Sequence, residues 1–280
     1  MTLRVTILGC GSSGGVPRVG GDWGVCDPSE PKNRRTRCSL LVEQWEGDVE
    51  PDNQEKTVIL IDTSPDLREQ LLKAKVTKID AVLYTHDHAD QSHGIDDLRA
   101  IAYRMRQRIP VYMDDITKEA MLSRFHYCFE MPEGRVHPAI LELQDTFNSK
   151  DELQIFGAGG AINITVLGLS HGPSSSLGFK FNIIATYTPD VLDIENDVLN
   201  LIKGSDVWVC DALRYNRSPS HAHVDKTLMW QAFTQVPTIV LTNLHIDLDY
   251  ENLTSELLGS QQVAYDGRRV ELVQNKAINH

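Results

Sequence analysis

The densest set of residues able to do chemistry is the string THDHADQSHG at 85–94. His86, His88 and Asp90 stand at alternate positions directly after the apolar run Ala81–Tyr84. In an extended turn that spacing points two imidazoles at one ion and sends the carboxylate to a neighbouring position. Imidazole with carboxylate suits Zn²⁺, Mn²⁺ or Fe²⁺. More residues of the same kind stand where apolar runs end. His171 follows ITVLGL, Asp190 follows IIATYTP, Asp211 closes VWVCD and His245 follows IVLTNL. Ligands of α/β sheets gather outside the carboxyl ends of strands, so these residues are candidates for one shared metal centre.

The elements that must position them read as short β-branched runs alternating with helical patterns. Expected strands are Arg4–Leu8, Ser39–Glu43, Val58–Ile61, Ala81–Tyr84, Val111–Met113, Ile162–Leu167, Gly178–Ala185, Val207–Cys210 and Thr238–Leu241. Expected helices are Pro65–Lys75, Asp97–Gln107, Thr117–Cys128, Ile194–Ile202, Asp225–Phe233 and Glu251–Leu258, with Ser64 as an N-cap for the first and Asp96 and Asp97 as caps for the second. Mixed β pairs and strand–helix units imply an α/β (α+β) sandwich. No repeat or linker interrupts the chain, so residues 1–280 are expected to form a single domain. Gly9, Gly11 and Gly14 match GxGxxG, but the continuation GVPRVGGDWG is a poor helix, and a dinucleotide fold needs one there. The turn through Ser12, Ser13 and Gly14 is better placed to offer backbone N–H groups to a substrate phosphate.

The 27 basic residues against 39 acidic ones give a net charge of −12. That balance argues against long nucleic acid or an anionic membrane as partner, while leaving room for a small anion held through a metal. Five scattered cysteines without a CxxC pair fit a reducing compartment. No signal peptide and no apolar run of about 18 residues is visible, so a cytoplasmic setting is expected.

With these strings together, the sequence resembles the metallo-β-lactamase superfamily of metal-dependent hydrolases, and within it the phosphodiesterase branch that includes phosphoribosyl 1,2-cyclic phosphate phosphodiesterase. LGCGSSGGVP, LIDTSPDLR, HGIDDLR, SHG and TNLHIDLDY carry the likeness over nearly the whole chain. The resemblance implies a four-layer αβ/βα sandwich and two divalent metal ions, zinc or manganese. His86, His88 and His171 would hold the first ion, Asp90 and His245 the second, with Asp190 bridging. It also suggests a homodimer. Gln91 departs from the family's HxHxDH pattern, since an amide oxygen is a weaker ligand than the expected imidazole; His93 matches another family position. The N-terminal loop has only Cys26 and then Cys38, and position 248 is leucine, so no structural zinc is expected. Cys10 and Cys210 read as small buried residues.

In the resembled branch a histidine at the His221 position faces the scissile phosphate as general acid, while His223 reads as a helix-entry residue. His126, His137 and His280 lack a metal-like context. Asp62, Asp97 and Asp211 are expected behind the ligands, orienting them. Lys32, Arg34, Arg35 and Arg37 form the one dense basic patch, either a solvated loop or positive charge beside a phosphate. The expected activity is hydrolysis of a small (cyclic) sugar or nucleotide phosphodiester by a metal-bound hydroxide, with Asp90 and His221 catalytic and a nucleotide as a product-like ligand. The alternatives are a tRNA 3′-processing endonuclease, thioester or lactam hydrolysis, and a non-catalytic nucleotide-binding protein with a degraded second metal site.

Overall fold

The computed structural model describes residues 1–273 apart from 132, 133, 135 and 136; His280 lies outside the described residues. Strand β1 (Thr2–Gly9) shows how the layers arise. Leu3, Val5 and Ile7 point to one side and Leu8 to the other, and both sides are covered. Strands buried on both faces read as near-continuous apolar runs, which is why β2 (Ser39–Trp45) and β3 (Thr57–Ile61) stand out in the sequence.

After β3 come α1 (Leu67–Ala74), β4 (Ala81–Leu83), α2 (Ala89–Ser92), α3 (Leu98–Met105), β5 (Ile109–Tyr112), α4 (Asp115–Phe129) and β6 (Leu141–Leu143). The second half holds β7 (Glu152–Ile155), β8 (Ile162–His171), β9 (Ser174–Phe181), β10 (Ala185–Thr188), α5 (Asn196–Ile202), β11 (Val207–Asp211), α6 (Val224–Thr234), β12 (Thr238–Thr242), α7 (Tyr250–Glu256) and β13 (Gln261–Val263). The last strand, β14 (Arg268–Val273), returns to the first half and pairs with β1. Two seven-stranded sheets result, ordered β14-β1-β2-β3-β4-β5-β6 and β13-β12-β11-β10-β9-β8-β7. Each is antiparallel on one side and parallel on the other, with the changes at β3 and β10.

The inner faces meet in a core where Val5, Ile7, Val42 and Ile61 of the first sheet join Val166, Phe179, Phe181 and Val209 of the second. Leu67, Leu71, Leu98 and Met121 cover the outer face of the first sheet, and Val198, Val224, Trp230 and Leu253 cover that of the second. This is the four-layer αβ/βα sandwich.

Several boundaries differ from expectation. The run Gly178–Ala185 is two strands, because Asn182 and Ile183 turn the chain with φ of 46° and 71°. Helix α1 begins at Leu67, so Ser64 is not its N-cap. The Ser64 hydroxyl instead closes the preceding turn, accepting from the Asp66 amide at 3.2 Å and donating to Gln70 Oε1 at 3.0 Å. Asp97 stands at the N-cap of α3 as expected but its carboxylate makes no capping bond, because a 3₁₀ turn at Ile95–Asp97 runs into the helix; Asp96 lies within that turn. Strands β6, β7, β13 and β14 lay outside the expected set. They are short or half-exposed and lie at sheet margins, where less burial selects for apolar residues. After Gly9, Gly11 and Gly14 no helix forms until a 3₁₀ turn at Pro31–Asn33. No helix of the described residues is long and apolar enough to cross a membrane.

Candidate metal centre

The candidate ligands all hang from one end of the sandwich. His86 follows β4 and His88 is the N-cap of α2, which contains Asp90 and Gln91. Strand β8 ends on His171, β11 ends on Asp211, and Asp190 and His245 stand two or three residues past β10 and β12. The rings of His86 and His88 are 4.4 Å apart, and each is 5.2 Å from the His171 ring. One nitrogen from each lies within 4.8 Å of the others.

Hydrogen bonds fix which nitrogen faces inward. The Thr85 hydroxyl donates to Asp62 Oδ2 at 2.9 Å, so its oxygen accepts from His86 Nδ1 at 3.0 Å. His171 Nδ1 donates to the Ser220 carbonyl at 2.8 Å. Both rings thereby present Nε2 as a lone pair, and His86 Nε2 is buried with no hydrogen-bond partner among the described residues. Burial, reinforced by the neighbouring imidazoles, holds His86 well below the usual histidine range and His171 down at about 4. Both rings are neutral at pH 7, the form a metal ligand needs. An orphaned buried acceptor costs about 1–3 kcal/mol, a cost that a cation between the three rings removes. The donor set therefore fits a divalent ion.

A family model for the beta-lactamase superfamily domain matches residues 57–247, which carry every one of these ligands. The chain belongs to that superfamily.

Among solved structures, this superfamily chain is similar to a diphosphatase from the PhnP family, at 30% identity and a TM-score of 0.84 over 97% of this chain and 98% of that one. Zinc-bound PqqB from Methylobacterium extorquens shares the fold, at 18% identity and a TM-score of 0.69 over 96% and 100%. A protein of Porphyromonas gingivalis (strain ATCC BAA-308 / W83) named octanoyltransferase is 32% identical over 254 residues, 90% of this chain and 48% of its own. The chain thus spans about half the length of the curated relative it matches.

A second cluster within 4.8 Å joins His171, Asp190 and His221. Burial pushes the Asp190 carboxyl well up. Its oxygens accept from Gln91 Nε2 at 3.0 Å and Asn243 Nδ2 at 3.2 Å. Gln91 turns its nitrogen toward Asp190 and Asp90, and its Oε1 is buried without a partner among the described residues. Asp90 and His245 lie outside both clusters. His245 Nδ1 is 2.9 Å from Asp247 Oδ2, and its Nε2 meets Nη2 of Arg18.

His221 Nδ1 stands 2.8 Å from Asp211 Oδ2, with its ring 4.7 Å from that of His171. Burial opposes a charge on this ring, but Asp211 and then Asp190 outweigh it and raise His221 to about 9. Burial raises Asp211 to about 6. At pH 7 the pair is an imidazolium against a carboxylate.

The other expected residues distribute as follows. Asp62 stands behind His86 through Thr85, and Asp211 behind His221. Asp97 does not approach the centre. Helix α3 turns Leu98, Ile101 and Ala102 inward, which leaves Asp97 exposed in an outer groove with Arg68 and Arg104. The Ser12 amide is spent on the Leu244 carbonyl at 3.3 Å, and Ser13 is exposed while Gly14 packs beside Arg18. The basic patch is mostly a buttress. Arg35 is buried and donates to the carbonyl of His245 at 3.3 Å, Arg37 pairs with Asp66 at 3.0 Å, Arg34 lies over Trp23 and Lys32 over Tyr250. His223 is the N-cap of α6, and Cys10 and Cys210 are buried. Thr85, Asn243, Arg18 and Arg35 gain roles here that their residue types did not announce. Only TNLHIDLDY pointed toward Asn243.

Proposed function

We propose that the chain is a metal-dependent phosphodiesterase for a small sugar or nucleotide phosphodiester, with a cyclic phosphate the favoured form. The observation that carries this reading is His221, a cationic imidazole braced by a buried carboxylate and standing against the candidate ligands. An alkoxide is a poor leaving group near neutral pH and needs a positioned proton donor. The likeness to a diphosphatase, itself an enzyme of phosphoryl chemistry, points the same way.

In this reading His86, His88 and His171 would hold one divalent ion, and Asp90, Asp190 and His245 would serve a second. Such ions would supply Lewis acidity at the phosphorus and a lowered pKa for water. Asp62 fixes the tautomer of His86 through Thr85, while Gln91 and Asn243 hold the two oxygens of Asp190 in place. Asp211 grips His221 by Nδ1 and leaves Nε2 to protonate the departing oxygen. The Ser12–Gly14 turn, fastened to Leu244, walls the site on the His245 side.

The test is dependence on the leaving group. His221→Ala should cost ~10²–10⁴-fold on a cyclic alkyl phosphate, and far less on bis-p-nitrophenyl phosphate, whose phenolate leaves unaided. Equal losses on both substrates would remove the acid role from His221. A second reading, thioester hydrolysis, draws on the relative named octanoyltransferase. Turnover of octanoyl thioesters with no phosphodiester turnover after zinc or manganese loading would replace the first reading with this one.

A further inference from the structure

Arg18 makes a contact that the phosphodiesterase reading leaves unused. Its Nη2 meets Nε2 of His245. Asp247 faces the other ring nitrogen, Nδ1, with its Oδ2 at 2.9 Å and its backbone amide at 3.3 Å. A guanidinium has donors only, so Arg18 occupies the lone pair that a second cation would need. One lone pair accepts one partner.

The surroundings of Arg18 suit a side chain that changes partner. It roots a tight loop, with its amide donating to Asp22 O and its carbonyl accepting from Gly21, both at 2.9 Å. The tip glycines, Gly20 and Gly21, have φ of 98° and 84° and open space around them. The aliphatic stem lies over Gly14, where any Cβ would come within 3.2 Å of Arg18 Cγ and Nε. Nearby, Nε of Arg214 is buried without a partner among the described residues. A guanidinium freed from His245 presents a donor fork that matches phosphate.

We propose that Arg18 stands in for the second cation: it holds the lone pair of His245 until a metal takes it, and the released guanidinium then grips the substrate phosphate. The proposal rests on the reading of His245 as a ligand. The test titrates Zn²⁺ into the metal-stripped full chain by calorimetry, for wild type, Arg18→Gln and His245→Ala, and then titrates inorganic phosphate into the zinc-saturated proteins. Arg18→Gln should leave the first equivalent unchanged and tighten the second roughly tenfold or more, the loss of one charge-assisted contact. It should weaken phosphate by a similar factor, and His245→Ala should lose the second equivalent. A second equivalent lost in His245→Ala yet unchanged in Arg18→Gln overturns the proposal while the ligand assignment stands. Two equivalents retained by His245→Ala overturn both. Phosphate affinity unchanged in Arg18→Gln overturns the exchange of partners. Matching thermal melts of the three proteins before loading establish that these differences are local.

Discussion

Buried charge gathers at both ends of the sandwich, with opposite completeness. Near the start of β1 and β3, Arg4 forks onto Glu50 at 2.5 and 2.6 Å and also reaches Glu271 at 2.7 Å. Lys56 meets Glu43 at 2.8 Å and Glu50 at 2.6 Å, and both cations lie over Trp45. Every ion in that cluster has its counter-ion. At the other end His86 Nε2, Gln91 Oε1 and Asp211 Oδ1 are buried acceptors with no partner among the described residues. A closed set of charges holds structure, whereas a set of acceptors missing a positive charge marks a place where a cation belongs. Burial of charge alone does not separate the two ends.

The comparison breaks first at His88. His88→Ala should abolish turnover, by about 10³-fold or more, and cost at least one metal equivalent by elemental analysis, because three donors for one ion become two. Glu43→Gln at the opposite end should leave turnover and metal content unchanged. Metal loss from Glu43→Gln would erase the distinction between the ends. Stripping the protein with a chelator should lower its Tm by several degrees, since a ligand at ~10³ times its Kd contributes ~4 kcal/mol. The same drop is expected in Glu43→Gln, and a smaller one would couple the two clusters.

Thr85→Val takes the acceptor from His86 Nδ1 and the hydroxyl donor from Asp62, and should weaken metal binding by ~10–100-fold in competition with a chromogenic chelator. Unchanged affinity would mean that packing alone orients His86. The smallest effect belongs to Glu50, whose hydrogen bond from Arg4 overcomes burial and, with Lys56, lowers its carboxyl from 4.5 to about 2. A depressed carboxylate stabilises the fold above its unfolded value and loses that contribution as pH falls through the folded one. The Tm gap between wild type and Glu50→Gln should be full above pH 4.5 and close toward pH 2. A gap that persists at pH 2 would assign it to packing over Trp45.

How much of this was legible in the sequence follows from how each residue is encoded. His86, His88 and Asp90 are contiguous, and His171, Asp190, Asp211 and His245 interrupt or end apolar runs, so a polar residue there is conspicuous. Thr85 and Asn243 act through a hydroxyl and an amide that look ordinary anywhere in a chain. Arg18 sits in a loop without periodicity, and its partner is 227 positions away. Arg35 read as part of either a solvated loop or a phosphate-side patch, and its burial was not legible because it depends on the His245 carbonyl being brought against it. The inner strands were legible from apolar faces on both sides. The marginal strands β6, β7, β13 and β14 were not, because their identity lies in pairing with a neighbour.

Asp62 and Asn243 each follow the last residue of a strand, one in each sheet, and each has φ of 61°. Aspartate and asparagine adopt that left-handed turn at modest cost, and glycine at none. Glycine at either position therefore keeps the bend while deleting the carboxylate behind Thr85 or the amide on Asp190. A β-branched residue would do the reverse and damage the bend itself. These are two points where foldability and chemistry come apart, and a selection scored for both would recover glycine there as a well-folded, silent protein.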